Sequence, residues 1–82
     1  MTTTTVRPLH EVAKEINQDW KNVYFGARPY LNALYSLDKI TDNYGADSAK
    51  SIIIYFLGNS SSWRGETAKR IKKELKAIAG IK

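Results

Sequence analysis

The sequence has 82 residues, no cysteine and a formal net charge of +5, and 43% of its residues are hydrophobic. A chain of this length forms one domain with a small core, and without cysteine it has neither a disulfide framework nor a thiolate metal site. No apolar run approaches the roughly 18 residues that a membrane-spanning helix needs.

The chain begins with a threonine-rich stretch, and residues 1–5 have neither the basic nor the apolar region of a secretory signal. We expect a cytoplasmic protein in which residues 1–8 form a frayed tail and residues 9–82 form a single helical domain. Pro8 suits the first turn of a helix, because its missing N–H costs nothing there. Apolar residues at helical spacing then predict a first helix over residues 9–22. Its apolar face consists of Leu9, Val12, Ala13, Ile16, Trp20 and Val23.

A second helix is predicted after a break at residues 25–29. Gly26 permits a chain reversal, and Pro29 presets the backbone for a new helical start. We expect this helix to run over residues 29–44 and to end at Gly45 in the left-handed conformation. The residues that continue at helical spacing within it are Tyr30, Leu31, Leu34, Leu37 and either Ile40 or Thr41.

The central segment, residues 51–57, is the only run in which six apolar or aromatic residues stand together without a charge. Its β-branched and aromatic residues favour a strand. However, no second alternating run is present to pair with it, and a lone strand leaves its backbone groups unsatisfied. With Asp47 as N-cap we therefore predict a helix over residues 47–58, and a strand is the alternative. Because this segment is apolar on every side, we expect the other helices to pack around it.

The last helix is predicted over residues 62–79, after a loop whose serines supply its N-cap. Gly65 is expected to weaken its first turn. The fold class is therefore all-α, a small single-domain bundle of about four helices with a buried central helix and a basic C-terminal helix. The residues predicted to cover the central helix are Leu9, Val12, Ile16, Trp20, Leu31, Leu34, Leu37, Trp63, Ile71, Leu75 and Ile78.

The whole excess of positive charge lies in the last quarter of the chain. Residues 1–63 carry six basic and six acidic side chains, whereas residues 64–82 carry seven basic and two acidic ones. At helical spacing, four lysines share one face of the last helix and two arginines flank them. This basic stripe predicts binding to phosphates or to an acidic partner, and the alternative is that it only solvates an exposed face. Its residues are Arg64, Lys69, Arg70, Lys72, Lys73 and Lys76.

Two more specific roles for the last helix fit less well. A helix–turn–helix could be drawn over residues 48–79, with the last helix reading bases. The turn is longer than the usual three or four residues, and a lysine stripe suits phosphate contacts better than base recognition. A role at a membrane surface would need the apolar face that the core requires.

Aromatic residues surround an arginine near the start of the second helix. Exposed rings beside a guanidinium are typical of residues that anchor a protein partner. A core this small needs most of its rings, so the alternative is that they pack inside with their hydroxyls at the rim. The candidate interface residues are Tyr24, Phe25, Arg28 and Tyr30.

No pattern in the sequence predicts an enzyme. His10 is the only histidine, with neither a cluster of further metal ligands nor a serine or cysteine placed for nucleophilic catalysis. Asp38 and Asp42 are spaced for one helix face but have no pocket signature around them. The sequence also lacks a phosphate-binding or dinucleotide-binding glycine loop. We therefore predict no catalytic residues, no metal and no cofactor.

Three segments together carry a resemblance to a known group of proteins. They are residues 26–34 (GARPYLNAL), residues 44–47 (YGAD) running into 53–57 (IIYFL), and residues 63–68 (WRGETA) followed by 71–76 (IKKELK). They resemble small uncharacterised proteins encoded by tailed phages of actinobacteria. The resemblance implies a bacterial host cytoplasm as the setting, no established activity and no functional residues.

Two functions from different classes follow from these observations. We predict a small non-enzymatic accessory protein that binds a protein partner, or a second copy of itself, through the aromatic residues or the basic helix. The alternative is a nucleic-acid-binding protein that uses the basic last helix on phosphates, largely without sequence specificity. The salt dependence of binding distinguishes the two hypotheses, because binding to phosphates weakens steeply as the salt concentration increases.

Overall fold

The computed structural model describes residues 7–81. This part of the chain is a small all-α bundle, as predicted, with one short hairpin added between the second and third helices. The predicted frayed tail falls mainly on residues 1–6, which lie outside the described residues. In chain order the elements are α1 (Leu9–Asp19), α2 (Arg28–Tyr35), β1 (Asn43–Tyr44), β2 (Asp47–Ser48), α3 (Ala49–Gly58) and α4 (Glu66–Ala79).

The core lies between four helices, each of which packs on the next in the chain, while α4 packs back on α1. All of the residues predicted to form this core are buried, except Ile78, which is half-buried. At its centre the Phe56 ring meets the Trp20 and Trp63 rings edge-on, at centroid distances of 6.1 and 6.4 Å. The two indoles stack on each other at 5.6 Å. The aromatic cluster therefore joins α1, α3 and the segment before α4.

The central segment is a helix, so the strand alternative is wrong. Ile52, Ile53 and Phe56 form its buried face. Ile54 and Tyr55 are 45% and 47% exposed, so the expectation that the other helices cover this segment on every side is wrong. The predicted N-cap, Asp47, is also wrong, because α3 begins at Ala49, one residue too late for Asp47 to be its N-cap. Ser48 caps α3 instead, and its hydroxyl accepts the backbone N–H of Ser51 at 3.1 Å. Packing against the other helices outweighs the strand propensity of the β-branched residues.

The helix predicted over residues 29–44 ends at Tyr35, because the chain beyond it is used to cap α1. The carbonyls of Leu37 and Asp38 each accept an N–H from the first turn of α1, at 2.9 Å. These are amides that a helix N-terminus leaves without intrahelical partners. The Asp42 carboxylate then closes the following turn on the N–H groups of Asp38 and Lys39, both at 3.0 Å.

Gly45 belongs to a β-hairpin and does not cap a helix. Tyr44 and Asp47 face each other across the antiparallel pair, which leaves Gly45 and Ala46 as a two-residue loop. The φ of Gly45 is +62°, and a positive φ at the first loop position is what a type II′ hairpin turn requires.

The first and last helices are shorter than predicted at the ends where they meet. Extended backbone at Trp20 ends α1 at Asp19, three residues before the predicted end. Helix α4 begins at Glu66, so Gly65 precedes the helix and does not weaken it. No serine caps α4, and the buried Ser60 hydroxyl donates to the Leu57 carbonyl at the end of α3. These changes leave room for the Trp63 indole, whose N–H donates to an Asp19 carboxylate oxygen at 2.8 Å.

Candidate interaction surfaces

Helix α4 turns one face to the core and presents three lysines of the predicted stripe on its exposed side. The buried face consists of Ala68, Ile71, Leu75 and Ala79. Lys69, Lys73 and Lys76 are exposed, as is Arg64, which precedes the helix. Among the residues that the structure describes, no carboxylate forms an ion pair with these four cations.

Lys72 differs from the other lysines because it holds a loop in place. Its ammonium group donates to the carbonyls of Ser60 and Trp63, at 2.8 and 2.7 Å. It also lies 5.8 Å from the centroid of the Trp63 ring, within the range of a cation–π contact. Burial lowers the pKa of Lys72, and the nearby charges of Arg64 and Lys76 lower it further. This residue is therefore a structural tie as well as a member of the stripe.

Arg70 is taken up by an ion-pair network between α1 and α4. Its guanidinium pairs with Glu15, which also pairs with Arg7 at 2.9 Å. Arg7 in turn donates two hydrogen bonds to the Glu74 carboxylate, at 2.9 and 2.7 Å. Hydrogen bonds from Arg70 and then from Arg7 lower the pKa of Glu15. Sequence spacing gave no signal of this network, because its members come from three separated parts of the chain.

Two adjoining clefts meet at Trp63 and Arg64, and together we call them the Arg64 groove. The first has a volume of about 400 Å³ and runs from the end of α1 to Arg64. The second, of about 250 Å³, continues from Arg64 along the first turns of α4. Their cationic side chains are Lys21, Arg64, Lys69 and Lys72.

Lys21 is the member of this groove that sequence reasoning missed. It is far from the stripe in the chain, and it reaches the groove because its neighbours are fixed there. Trp20 stacks on Trp63, and Asp19 accepts the hydrogen bond from the Trp63 indole. A signal of this kind needs the tertiary contact and is absent from the local sequence pattern.

The predicted interface residues lie just before α2 and in its first turn, and their rings belong to two separate contacting pairs. The Tyr24 and Phe25 centroids are 4.8 Å apart, and 81% of Phe25 is exposed. The half-buried Tyr30 contacts Tyr55 of α3 at a centroid distance of 5.4 Å. Arg28 is exposed in the first turn of α2. We call the four rings, those of Tyr24, Phe25, Tyr30 and Tyr55, the aromatic surface.

A glycine lets the Tyr24 ring lie close to the end of α3. A Cβ at Gly26 would lie 2.5 Å from the Tyr24 ring and 2.9 Å from the side-chain oxygen of Asn59. Only glycine at position 26 therefore lets the Tyr24 ring and the Asn59 amide lie so close to the backbone there. The Asn59 amide also donates to the Tyr55 carbonyl at 2.8 Å, which links the Tyr24 side of the surface to α3.

The remaining candidates from the sequence do not form a chemical site. His10 lies 3.0 Å from an Asp38 carboxylate oxygen and 3.6 Å from that of Glu11. Asp42 is used on backbone N–H groups. Within residues 7–81, no group of three or more histidine, aspartate or glutamate side chains is arranged to hold a metal ion.

The comparisons with known proteins add no family. No protein-family model matches the sequence, and neither the search of curated proteins nor the search of solved structures found a significant match. In the described part of the chain, no helix has the length and apolar character needed to cross a membrane. A function for this protein must therefore be inferred from the geometry of the aromatic surface and the Arg64 groove.

Proposed function

We propose that this protein is a small non-enzymatic binding protein that acts through protein–protein interaction, with the aromatic surface as its anchor. The observation that carries the proposal is the exposure of Phe25, 81% of which is in contact with solvent. Burying a phenylalanine side chain fully is worth about 1.5–3 kcal/mol, and the fold leaves most of that gain unused. A partner that covers the ring would recover it.

The arrangement of the rings supports the same proposal. Tyr24 packs against Phe25, and Tyr55 packs against Tyr30, so each ring has a neighbouring ring that restricts its motion before binding. Rings that are already positioned lose little conformational freedom when a partner covers them. Tyrosines also suit a surface that is wet in the free protein and partly dry in a complex.

The charged residues near the rings in sequence favour an acidic partner. No aspartate or glutamate occurs in residues 22–37 or 48–65, the stretches that contain all four rings. The charged residues in these stretches are Arg28, Lys50 and Arg64, all of them basic. A complementary partner would present an apolar or aromatic side chain flanked by carboxylates. The setting that the phage resemblance implies, a bacterial host cytoplasm, is part of the proposal.

The proposal is tested by capture of partners from a bacterial lysate on immobilised protein, followed by quantitative mass spectrometry. We expect Phe25→Ser and Tyr55→Ser to lose the proteins that the native chain retains. Tyr35→Ser is the matched control, because Tyr35 is 41% exposed but is not one of the four rings. A captured partner is then purified and titrated, and Phe25→Ser should weaken binding roughly thirtyfold, as expected for a hot-spot residue.

Self-association is distinguished by sedimentation of the purified protein over a range of concentrations. If the native chain dimerises and Phe25→Ser stays monomeric, the partner is a second copy of this chain. If all three variants retain the same proteins and the same oligomeric state as the native chain, the aromatic surface is not the anchor.

A further inference from the structure

The Arg64 groove is a concave surface that differs from the lysine stripe predicted from the sequence. Arg64 lines both of its clefts, so this guanidinium stands where they join. Lys21 lies on one side of it, in a segment that follows α1, and Lys69 lies on the other side, on α4. Lys73, although it is exposed on the same helix, lines neither cleft.

Charge in the groove is strongly unbalanced. Four cations line it, and the facing carboxylate is that of Asp19, which accepts the hydrogen bond of the Trp63 indole. Lys72 uses two of its three N–H donors on backbone carbonyls and keeps its charge in the groove. The lowered pKa of Lys72 agrees with this crowding, because Arg64 and Lys76 contribute to it after burial. An anion in the groove would relieve the repulsion.

We propose that the Arg64 groove binds the sugar–phosphate backbone of a single-stranded nucleic acid. Guanidinium and ammonium groups are the side chains that proteins use on phosphates, and arginine can bind one through two parallel hydrogen bonds. A single strand is flexible and can follow a concave path with its backbone. A duplex is a stiff rod and would rest on the convex row of Lys69, Lys73 and Lys76.

The floor of the groove limits what is recognised. Trp20 and Trp63 are only 6% and 2% exposed, and they stack on each other. Their faces are therefore closed to bases, which removes the stacking contribution that many single-strand-binding proteins use. Binding through phosphates alone is independent of sequence and falls steeply with salt. This function goes beyond protein binding at the aromatic surface, and none of the four rings takes part in it.

The test is fluorescence anisotropy of a labelled mixed-sequence DNA strand of about 16 nucleotides, measured alone and as a duplex. The native protein should bind the single strand more tightly than the duplex. With three or four phosphate contacts, affinity should fall roughly 20–50-fold between about 50 and 200 mM salt. Arg64→Glu and, separately, Lys21→Glu should each lower affinity at the lower salt by at least tenfold.

Lys73→Glu is the matched control, since it changes the charge by the same amount on an exposed site outside the groove. It should lower affinity less than threefold. Lys72 is left unchanged, because its loss would disturb the loop at residues 60–63. Each variant is first shown to keep the native helical content and a melting temperature within a few degrees of the native protein.

Several outcomes would overturn the proposal that the groove binds a single strand. These are no binding at low salt, tighter binding to the duplex, or a loss with Lys73→Glu as large as that with Arg64→Glu. A labelled polyglutamate peptide that binds more tightly than the DNA strand would show that the groove takes an acidic protein instead. Phe25→Ser should bind the strand like the native protein, so this result and the protein-partner result are independent.

Discussion

The α1–α4 side of the bundle has ion pairs at its surface, whereas the α2–α3 side has a contact between two aromatic rings. Between α1 and α4, Glu15 pairs with Arg7 and Arg70, and Arg7 pairs with Glu74. Between α2 and α3 the visible surface contact is the pair of tyrosine rings, and neither helix contains an acidic residue. Both sides share the apolar core, and among the described residues the α1–α4 side adds surface ion pairs that the α2–α3 side lacks.

The comparison shows how one small core can support two kinds of surface. On the side where ion pairs join the helices, four of the other cations line the Arg64 groove. Where apolar contacts hold them, some rings are left at the surface and form the aromatic surface. Salt should weaken the first kind of contact and leave the second almost unchanged. Substitutions on each side test that contrast, and Phe56 lies in the core that both sides share.

Phe56→Ala should destabilise the protein by about 3–5 kcal/mol, because it empties the centre of the core. Phe56 is fully buried and contacts both tryptophans, so neither side can compensate for its loss. The free energy of unfolding is measured by urea denaturation, followed by circular dichroism. Ile54→Ala on the same helix is the control and should cost less than about 0.5 kcal/mol, since Ile54 is 45% exposed. Equal midpoints for the two variants would refute this view of the core.

Lys72→Met should cost about 1–2 kcal/mol, because the carbonyls of Ser60 and Trp63 would lose their charged donor. The methionine keeps most of the apolar length of the side chain. This variant separates a lysine that holds the fold from lysines that only face solvent. Lys76→Met is the control and should leave the urea midpoint unchanged. If both variants unfolded at the native midpoint, the hydrogen bonds from Lys72 to the loop would contribute nothing to stability.

Glu15→Gln should lower the free energy of unfolding by about 0.5–1 kcal/mol at low salt, since it weakens two partly exposed ion pairs. Raising the salt concentration to about 1 M should remove most of that difference. On the other side, Tyr30→Leu removes the ring contact with Tyr55, and its effect should be the same at both salt concentrations. A salt-independent difference for Glu15→Gln would break the contrast between the two sides.

Acid should reduce the stability that the α1–α4 ion pairs contribute, and this effect should be the smallest of the four predicted here. The pKa of Glu15 is lower in the folded protein than its usual value of 4.5, so the unfolded chain binds the proton more readily. The stabilisation from this group is therefore present above about pH 4.5 and is lost as the pH falls through the folded-state pKa. Melting temperatures between about pH 7 and pH 3 should fall less steeply for Glu15→Gln than for the native protein. Parallel curves would contradict the assignment.

The sequence was sufficient for the helical class and for the core, because the apolar spacing along each helix survives in the folded chain. It was not sufficient for the end of α2. Leu37 continues the apolar spacing, which predicts that the helix goes on. In the structure its carbonyl instead accepts a hydrogen bond from the first turn of α1, and that contact depends on the tertiary fold. The central helix shows the opposite case, in which the absence of a second strand outweighed the strand propensity of Ile52 and Ile53.

The candidate sites were predicted only in part, because some of their contacts join residues that are distant in sequence. The rings of Tyr24, Phe25 and Tyr30 lie close together in sequence, so their grouping was visible there. Tyr55 joins them through a contact between helices. Helical spacing places Lys72 beside Lys69, but it gives no sign that the Lys72 ammonium holds two carbonyls. Side-chain partners from distant parts of the chain decide which cations are available, and a local pattern does not contain them.

The stacked indoles give this protein an internal optical probe. Trp20 and Trp63 are the only tryptophans in the chain, and their ring planes are within 10° of parallel. The intrinsic fluorescence excited at long wavelength therefore comes from one contact between the end of α1 and the segment before α4. Electronic coupling between the two chromophores should add a near-ultraviolet circular dichroism signal that disappears when this contact opens. Local opening at the Arg64 groove can thus be observed before the helices themselves unfold.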